Sequence, residues 1–393
     1  GETAGMKDLR PFSRRAFLLT AAAAVGGGLG SCGMGSRRVL SGNPFRLGVA
    51  SGDPAPDGFV LWTRLLPGEP GAGPVEVSWI IARDERLTQE VQRGSAPALP
   101  ELAHSVHVEA AGLEADRPYW YRFSAGGHVS PVGRTRTLPL PGAAPGRLRF
   151  AVASCQHLEH GHFTAYEHML REDVDLVVHL GDYIYEGAAA KKGVRLHLGP
   201  ECTTLEGYRS RYAQYQADPA LQAMHAAAPW LVTPDDHEFD NNCAGDVSEE
   251  KNVRPADFLK RRAAAYQAYY EHMPLRRASL PQGPDMLLYR RISYGRLADF
   301  FVLDTRQYRT DQPCGDGNKP PCPEVLDAGA TILGAAQRNW LFDGLGRSGA
   351  AWNVLAQQVM VARVDRKAGD EITHSMDQWP GYEVERRRLL KHL

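Results

Sequence analysis

The sequence predicts an α/β protein preceded by a β-sandwich, and three observations carry that prediction. Between Phe45 and about Pro139, short β-branched and aromatic runs are separated by Gly/Pro turns, with no helical periodicity. Beyond Gly146, strands alternate with longer amphipathic stretches, the pattern of an α/β sheet. A linker, Pro139-Leu-Pro-Gly-Ala-Ala-Pro-Gly, divides the two textures. At 393 residues the chain has room for two domains of roughly 100 to 200 residues each. Its 43% hydrophobic and 23% charged residues are those of a globular chain with a large core.

Taken in order, Phe59-Val-Leu-Trp-Thr, Val75-Glu-Val-Ser-Trp-Ile-Ile, Val106-His-Val and Tyr119-Trp-Tyr-Arg-Phe are strands. Their recurrence with turn signals predicts an antiparallel sandwich of immunoglobulin or fibronectin type over residues 40–140, with no visible chemistry. In residues 147–393 the strands are Leu148 to Ser154, Val174 to Leu180, Pro229 to Thr233, Phe300 to Leu303 and Trp352 to Ala356. The helices are Phe163 to Arg171, Pro255 to Tyr270, Leu333 to Leu345 and Glu383 to His392, with Tyr266, Tyr269 and Tyr270 as packing residues.

Residues 1–32 read as an export signal: a charged head, a short apolar centre and a small-residue exit, too short to span a bilayer. Arg14 and Arg15 resemble the twin-arginine signal. That resemblance implies export of the folded chain by the twin-arginine machinery, with any metal installed beforehand. Leu29-Gly-Ser-Cys32 resembles a lipobox, so lipidation of Cys32 and simple cleavage nearby both stand. Either way the chain is expected outside the cytoplasm: periplasmic, secreted or lipid-anchored. With 45 Lys plus Arg against 46 Asp plus Glu and no sustained basic tract, a bulk electrostatic pull on nucleic acid is not expected. Of the six cysteines, Cys314 and Cys322 bracket a turn-rich loop that a disulfide would staple. Cys202 and Cys243 are a candidate second pair, and Cys155 is left as a candidate metal ligand.

In an α/β sheet, sites form at the carboxyl ends of strands. Those ends here are Ser154-Cys-Gln-His157, Gly181-Asp-Tyr-Ile-Tyr-Glu186 and Pro234-Asp-Asp-His-Glu238. Three successive strands thus deliver thiol, carboxylate, phenol and imidazole to one rim, as a multi-metal site requires. Asp182 is the natural bridging carboxylate. Tyr185 offers a hard phenolate suited to ferric ion, and Cys155 a thiolate. Asp235, Asp236 and His237 add oxygen and nitrogen ligands, with protonation of a leaving group as a second role for His237. No functional claim attaches to His157, His160, His162, His168, His179 or His197.

Phe45-Arg-Leu-Gly-Val-Ala-Ser-Gly-Asp-Pro, Ala153-Ser-Cys-Gln-His, His179-Leu-Gly-Asp-Tyr-Ile-Tyr-Glu, Asp235-Asp-His-Glu, Leu303-Asp-Thr-Arg-Gln-Tyr-Arg and Asn353-Val-Leu-Ala-Gln-Gln resemble the PhoD-type alkaline phosphatase and phosphodiesterase family. The match runs through nearly the whole chain after the signal. It implies a metallophosphoesterase-like α/β domain, two packed sheets flanked by helices, behind the sandwich. It also implies Fe3+ and Ca2+ at the active site and phosphate mono- and diesters as substrates. By position, Cys155, Asp182 and Tyr185 are the iron ligands, Asp182 bridging to calcium. Asp235, Asp236 and His237 stand where the wider superfamily has Gly-Asn-His-Glu, and the extra charge of Asp236 suits calcium.

Gln357 and Gln358 end a strand where relatives place a histidine ligand; a structural role is expected. Arg306 is read as a catalytic clamp on phosphate, with a loop-fixing ion pair as the equal alternative. The family pattern goes on to a strand ending Gly-Asp-Val-His whose Asp and His are ligands; this chain stops at Leu393 before it, so that either the sequence is a fragment of a catalytic domain truncated at its C-terminus or the site is incomplete, and no residue is carried over for those ligands. Two further readings follow: a phospholipase D-like phosphodiesterase, and an exported lipoprotein binding module carrying an inactive phosphatase-like domain.

Overall fold

A computed structural model describes residues 40–68 and 71–393. The export segment, with Arg14, Arg15 and Cys32, lies outside them. The N-terminal strands are β1 (Val49–Ala55), β2 (Gly58–Arg64), β3 (Val75–Ala82), β4 (Glu90–Ala98), β5 (Ser105–Ala110), β6 (Pro118–Ala125), β7 (His128–Val129) and β8 (Gly133–Arg136). They form two facing antiparallel layers, β5-β2-β1 and β4-β3-β6, with β7 and β8 hydrogen-bonded to β6. Every second residue of β6, from Tyr119 through Tyr121 and Phe123 to Ala125, is buried. This period of two points them at Phe59, Leu61, Val77 and Ile81 in a shared core.

The second region runs β9 (Phe150–Ala153), α1 (Thr164–Met169), β10 (Leu176–His179), α2 (Leu205–Gln216), α3 (Pro219–Ala227), β11 (Trp230–Val232), α4 (Pro255–His272), β12 (Arg290–Tyr294), β13 (Ala298–Val302), β14 (Asn318–Lys319), α5 (Gly334–Gly346), β15 (Trp352–Ala356), β16 (His374–Ser375) and α6 (Glu383–His392). Strands β9, β10 and β11 are parallel and adjacent. Buried on both faces, β10 is the continuous apolar run Leu-Val-Val closed by His179. One face, through Leu176, Val178 and Leu231, packs on the sheet β12-β13-β15 through Tyr294, Phe300 and Val302. The other, through Val177 and Trp230, meets the tyrosine-rich faces of α2 and α4. Helix α3 starts on Asp218, whose carboxylate accepts from the Ala220 and Leu221 amides, with Pro219 in the first turn.

The two regions share a sheet. Strand β1 lies parallel to β11, Gly52 opposite Trp230, so that the order β5-β2-β1-β11-β10-β9 is continuous. Glycine is required there: a Cβ on residue 52 would lie 2.4 Å from the Pro274 carbonyl oxygen and 2.8 Å from that of Trp230. The outer face of β2 and β5 is covered by the end of α4, where Trp62 Nε1 donates to the Glu271 carbonyl (3.1 Å) and His107 Nε2 meets the Tyr270 and Met273 carbonyls (both 3.0 Å). That cover explains why β2 is buried along most of its length rather than alternating.

The Cys314–Cys322 disulfide is present. The expected second pair is not: Cys202 and Cys243 are both free and buried. Cys202 Sγ donates instead to the Gly207 carbonyl in the first turn of α2 (3.4 Å), and each thiol is held in the apolar core beneath the helices. Among the described residues no helix is long and apolar enough to cross a membrane.

Candidate metal centre

The loops leaving β9, β10 and β11 continue the sheet's hydrogen bonding past the strand ends. Leu180 N donates to Ala153 O (2.9 Å), Cys155 N to Gly181 O (3.2 Å), Gln156 N to Asp182 O (3.1 Å) and Thr233 N to His179 O (3.1 Å). Cys155 and Asp182 both adopt left-handed backbone, φ +55° and +52°, an arrangement that costs L-residues energy and clusters at functional sites. Between them Gly181 has φ +96°, and a Cβ there would lie 2.2 Å from the Asp235 nitrogen. Only glycine lets the β10 and β11 loops come this close.

Glu238, fully buried, ties the loops together. Its carboxylate accepts from the amides of Asp182 (3.1 Å), Tyr183 (2.5 Å) and Asp235 (2.8 Å). Within this frame the Tyr185 hydroxyl donates to Asp182 Oδ2 (3.0 Å). The ring of Tyr185 lies against His237, centroids 4.1 Å apart. Asp182, Asp236 and His237 each bring a ligand atom within 4.8 Å of the others. The sequence-predicted residues Cys155, Asp182, Tyr185, Asp235, Asp236 and His237 therefore meet at one rim.

Arg306 is buried and its guanidinium is fully engaged. Nε donates to Asp235 Oδ1 (2.6 Å), and the two terminal nitrogens form a fork on Asp377 (2.7 Å each). Asp377 also receives Arg309 Nη1 (2.7 Å) and Gln312 Nε2 (2.8 Å). A phosphate approaching Arg306 would have to compete with the carboxylates of Asp235, Asp236 and Asp377. Gln358 Nε2 is spent on Thr233, Pro234 and Leu303, and Gln357 Oε1 accepts from Trp379 Nε1 (3.0 Å), as structural residues do.

The electrostatics favour a bound cation. Burial, then the charge of Asp236, pushes the Asp182 carboxyl up to about 6. Burial, then Asp182, pushes the Cys155 thiol up to about 12. Burial also raises Tyr185, with Asp182 and Cys155 adding to the shift. Burial disfavours the charged His237 ring, yet the Glu186 carboxylate on Nδ1 (2.7 Å), with Asp236 and Asp182, outweighs it and holds the ring up at about 10. Thiolate, phenolate and carboxylate are anions whose proximity a cation would stabilise, reversing the upward shifts. Asp182 Oδ1 is buried without a hydrogen-bond partner, the atom a bridging ligand would use. The residues present fit a hard, highly charged metal.

Several residues of this frame escaped the sequence reading. Glu186 and Glu238 stood one position beyond the residues assigned, and a buried carboxylate at the end of each motif was the signal. Asp377 had none, since Arg306 is 71 positions away. Asn242, whose amide donates to Asp236 Oδ2 (2.7 Å), belongs with it. The His157 ring lies tilted against that of Tyr185, centroids 4.2 Å apart, and with Glu159 and His197 forms a second group with metal-ligand spacing. Three of its four ring nitrogens have partners: His157 Nδ1 accepts the Glu159 amide, His197 Nδ1 meets Gly187 and Arg211, and His197 Nε2 meets Tyr215.

Comparison with known proteins assigns the class. Residues 150–393 match the family model for PhoD-like phosphatase, and residues 32–139 that for the PhoD-like phosphatase N-terminal domain. The protein is a phosphoric ester hydrolase. Over 400 residues it is 51% identical to alkaline phosphatase D of Bacillus subtilis (strain 168), covering 97% of this chain and 68% of that protein. A solved structure of PhoD superposes with a TM-score of 0.87 at 53% identity, covering 90% of this chain and 69% of the other. The chain belongs to the PhoD-like phosphatase family.

Proposed function

We propose that the protein hydrolyses phosphate mono- and diesters outside the cytoplasm, at a centre that takes up ferric iron and calcium. We assign residues 40–140 to an immunoglobulin- or fibronectin-like sandwich and residues 147–393 to a metallophosphoesterase-like catalytic domain. The observation that carries the reading is the partnerless buried oxygen of Asp182, set among Cys155, Tyr185 and Asp236 at the ends of adjacent parallel strands.

Cys155, Asp182 and Tyr185 would hold the iron, and Asp182, Asp235 and Asp236 the calcium. Bound there, the ions supply charge neutralisation for phosphoryl oxygens and a bound water of lowered pKa. The chain's own residues do the rest. Glu238 fixes the backbone from which Asp182 and Asp235 project. Arg306 spans Asp235 and Asp377, which makes it a positioning residue rather than a group that touches substrate. Glu186 accepts from His237 Nδ1, orienting the ring so that its other nitrogen serves as donor to a substrate oxygen or the departing alkoxide.

Elemental analysis of the exported chain, paired with turnover of a chromogenic phosphomonoester and the matching diester, tests this reading. We expect about one iron per chain, calcium alongside it, and hydrolysis of both esters. Cys155→Ser should lose the iron; a variant that keeps normal iron and turnover removes Cys155 from the site, and a wild-type protein with neither metal nor turnover overturns the proposal.

A further inference from the structure

The disulfide loop makes two connections to the rim. Cys314, Gly315, Asp316 and Gly317 have φ of +58°, +71°, +61° and +75°. Four left-handed residues in succession, two of them not glycine, do not persist unless the surroundings hold them. Here the Cys322 bridge holds one end, and the Cys314 amide donates to Glu324 (2.6 Å). Beyond the run, Asn318 and Lys319 in β14 pair with Ser375 and His374 in β16, and the Met376 amide donates to the Gly317 carbonyl (3.0 Å).

The first connection runs through Asn242. Asp316 Oδ2 accepts from Asn242 Nδ2 (2.7 Å), and Gln312 Nε2 donates to the Asn242 carbonyl (2.6 Å). Asn242 is gripped from both sides of Cys314 and is itself held at φ +49°, the conformation in which its amide donates to Asp236 Oδ2 (2.7 Å). The second connection runs from β16 to Asp377, two residues beyond Ser375, and from there through Arg306 to Asp235. The single loop closed by the Cys314–Cys322 bridge thus stands behind both acidic side chains on the β11 side of the centre.

We propose that Asn242 and Asp316, held by the Cys314–Cys322 bridge, are positioning residues that aim the Asp236 carboxylate for cation binding. This rests on the metal reading above, in which Asp236 is a ligand. Asn242 fills one lone-pair direction of Oδ2 and fixes the carboxylate plane, with Oδ1 lying 3.6 Å from Arg306 Nη2. Release of Asp316 frees Asn242 to leave its left-handed conformation and withdraw that hydrogen bond. Groups that orient a ligand in this way typically set metal affinity by about ten- to a hundredfold.

The test compares the full chain with Asp316→Ala, Asp316→Asn and the Cys314→Ser/Cys322→Ser double variant. Calcium chloride is titrated calorimetrically into protein stripped of calcium, and amide hydrogen exchange is followed at Asn242. Asp316→Ala should weaken calcium about tenfold and speed exchange of the Asn242 amide. Asp316→Asn, which keeps an acceptor oxygen toward Asn242 Nδ2, should restore most of both. The double serine variant should move in the same direction as Asp316→Ala. Wild-type affinity and exchange in Asp316→Ala would overturn the proposal, and wild-type behaviour of the double variant would remove the bridge from it. If the wild-type chain takes up no calcium, the metal reading fails separately; the positioning proposal is then decided by exchange alone, with equal Asn242 rates in wild type and Asp316→Ala overturning it.

Discussion

In β6 of the N-terminal layers, the rings of Tyr119, Tyr121 and Phe123 belong to one shared apolar core with Phe59, Leu61, Val77 and Ile81. At the rim of β9, β10 and β11 the reverse holds: Glu238 answers three named amides, His237 answers Glu186, and Arg306 answers Asp235 and Asp377. The apolar layers gain stability in proportion to area removed from water, a non-directional effect that tolerates substitutions of similar volume. The rim gains its geometry from hydrogen bonds between buried charged groups, where removing one partner leaves the other unsatisfied. The layers therefore set how stable the molecule is, and the rim sets what it does. A substitution in one should leave the other's property nearly unchanged.

The largest expected effect is at Asp182. Asp182→Ala removes the carboxylate that Cys155, Tyr185 and Asp236 surround, and turnover should fall by about a thousandfold or more, the scale of several kcal/mol of lost transition-state stabilisation. It also relieves a cluster of like charges in which burial and Asp236 already push the Asp182 proton affinity up. Thermal unfolding of the metal-free variant should accordingly lie at or above that of the metal-free parent. A marked drop in its unfolding temperature would show the rim to be structural as well.

The opposite case is Phe59, fully buried in β2 and packed 5.9 Å from the Tyr119 ring on the far side of the sheet from α4. Phe59→Ala should cost about 3 kcal/mol through lost transfer energy and the cavity left behind. Denaturant unfolding measures that loss, while kcat of the folded protein at 25 °C should stay within about twofold of the parent. A large fall in kcat would mean that the shared sheet transmits distortion from β2 through β1 and β11 to the site.

The same contrast governs what the sequence disclosed. Period-two burial in β6 and the apolar run of β10 were legible because one residue's fate depends on its own hydrophobicity and position. The three strand-end clusters were legible because parallel strands bring their carboxyl ends to one edge. Arg306 was not fully legible: two roles fitted its sequence context, and its partner Asp377 arrives from a segment tied down by β14 and β16. The free thiols of Cys202 and Cys243 make the same point, because two cysteines pair only if the fold brings them together. The continuity of the sheet across the Pro139–Gly146 linker was equally hidden, since the contact of Gly52 with Trp230 leaves a local trace only as one more glycine in a turn-rich stretch.

The smallest expected effect sits where the two regions meet. His107, on β5, is half-buried beneath the end of α4, stacked on Tyr270 with ring centroids 4.4 Å apart. Burial lowers its pKa to about 4, against 6.5 for the ordinary group, although the Met273 and Tyr270 carbonyls partly favour the charged ring. The folded pKa is depressed, so the folded state prefers the neutral ring. The contribution to stability is complete above pH 6.5 and declines as pH falls from there through about 4. At pH 4.5 it should amount to about 2 kcal/mol less than at pH 7.5, by proton linkage. His107→Gln keeps a side-chain donor for the two carbonyls but cannot take up a proton, so the difference in unfolding free energy between variant and parent should shift by that amount between the two pH values. An unchanged difference would place the acid sensitivity elsewhere, with His179 and His225, both lowered to about 3 by burial inside the second region, as the next groups to replace. A shift of the expected sign and size would instead locate the first acid-labile contact at the seam between the N-terminal layers and the region that carries the rim.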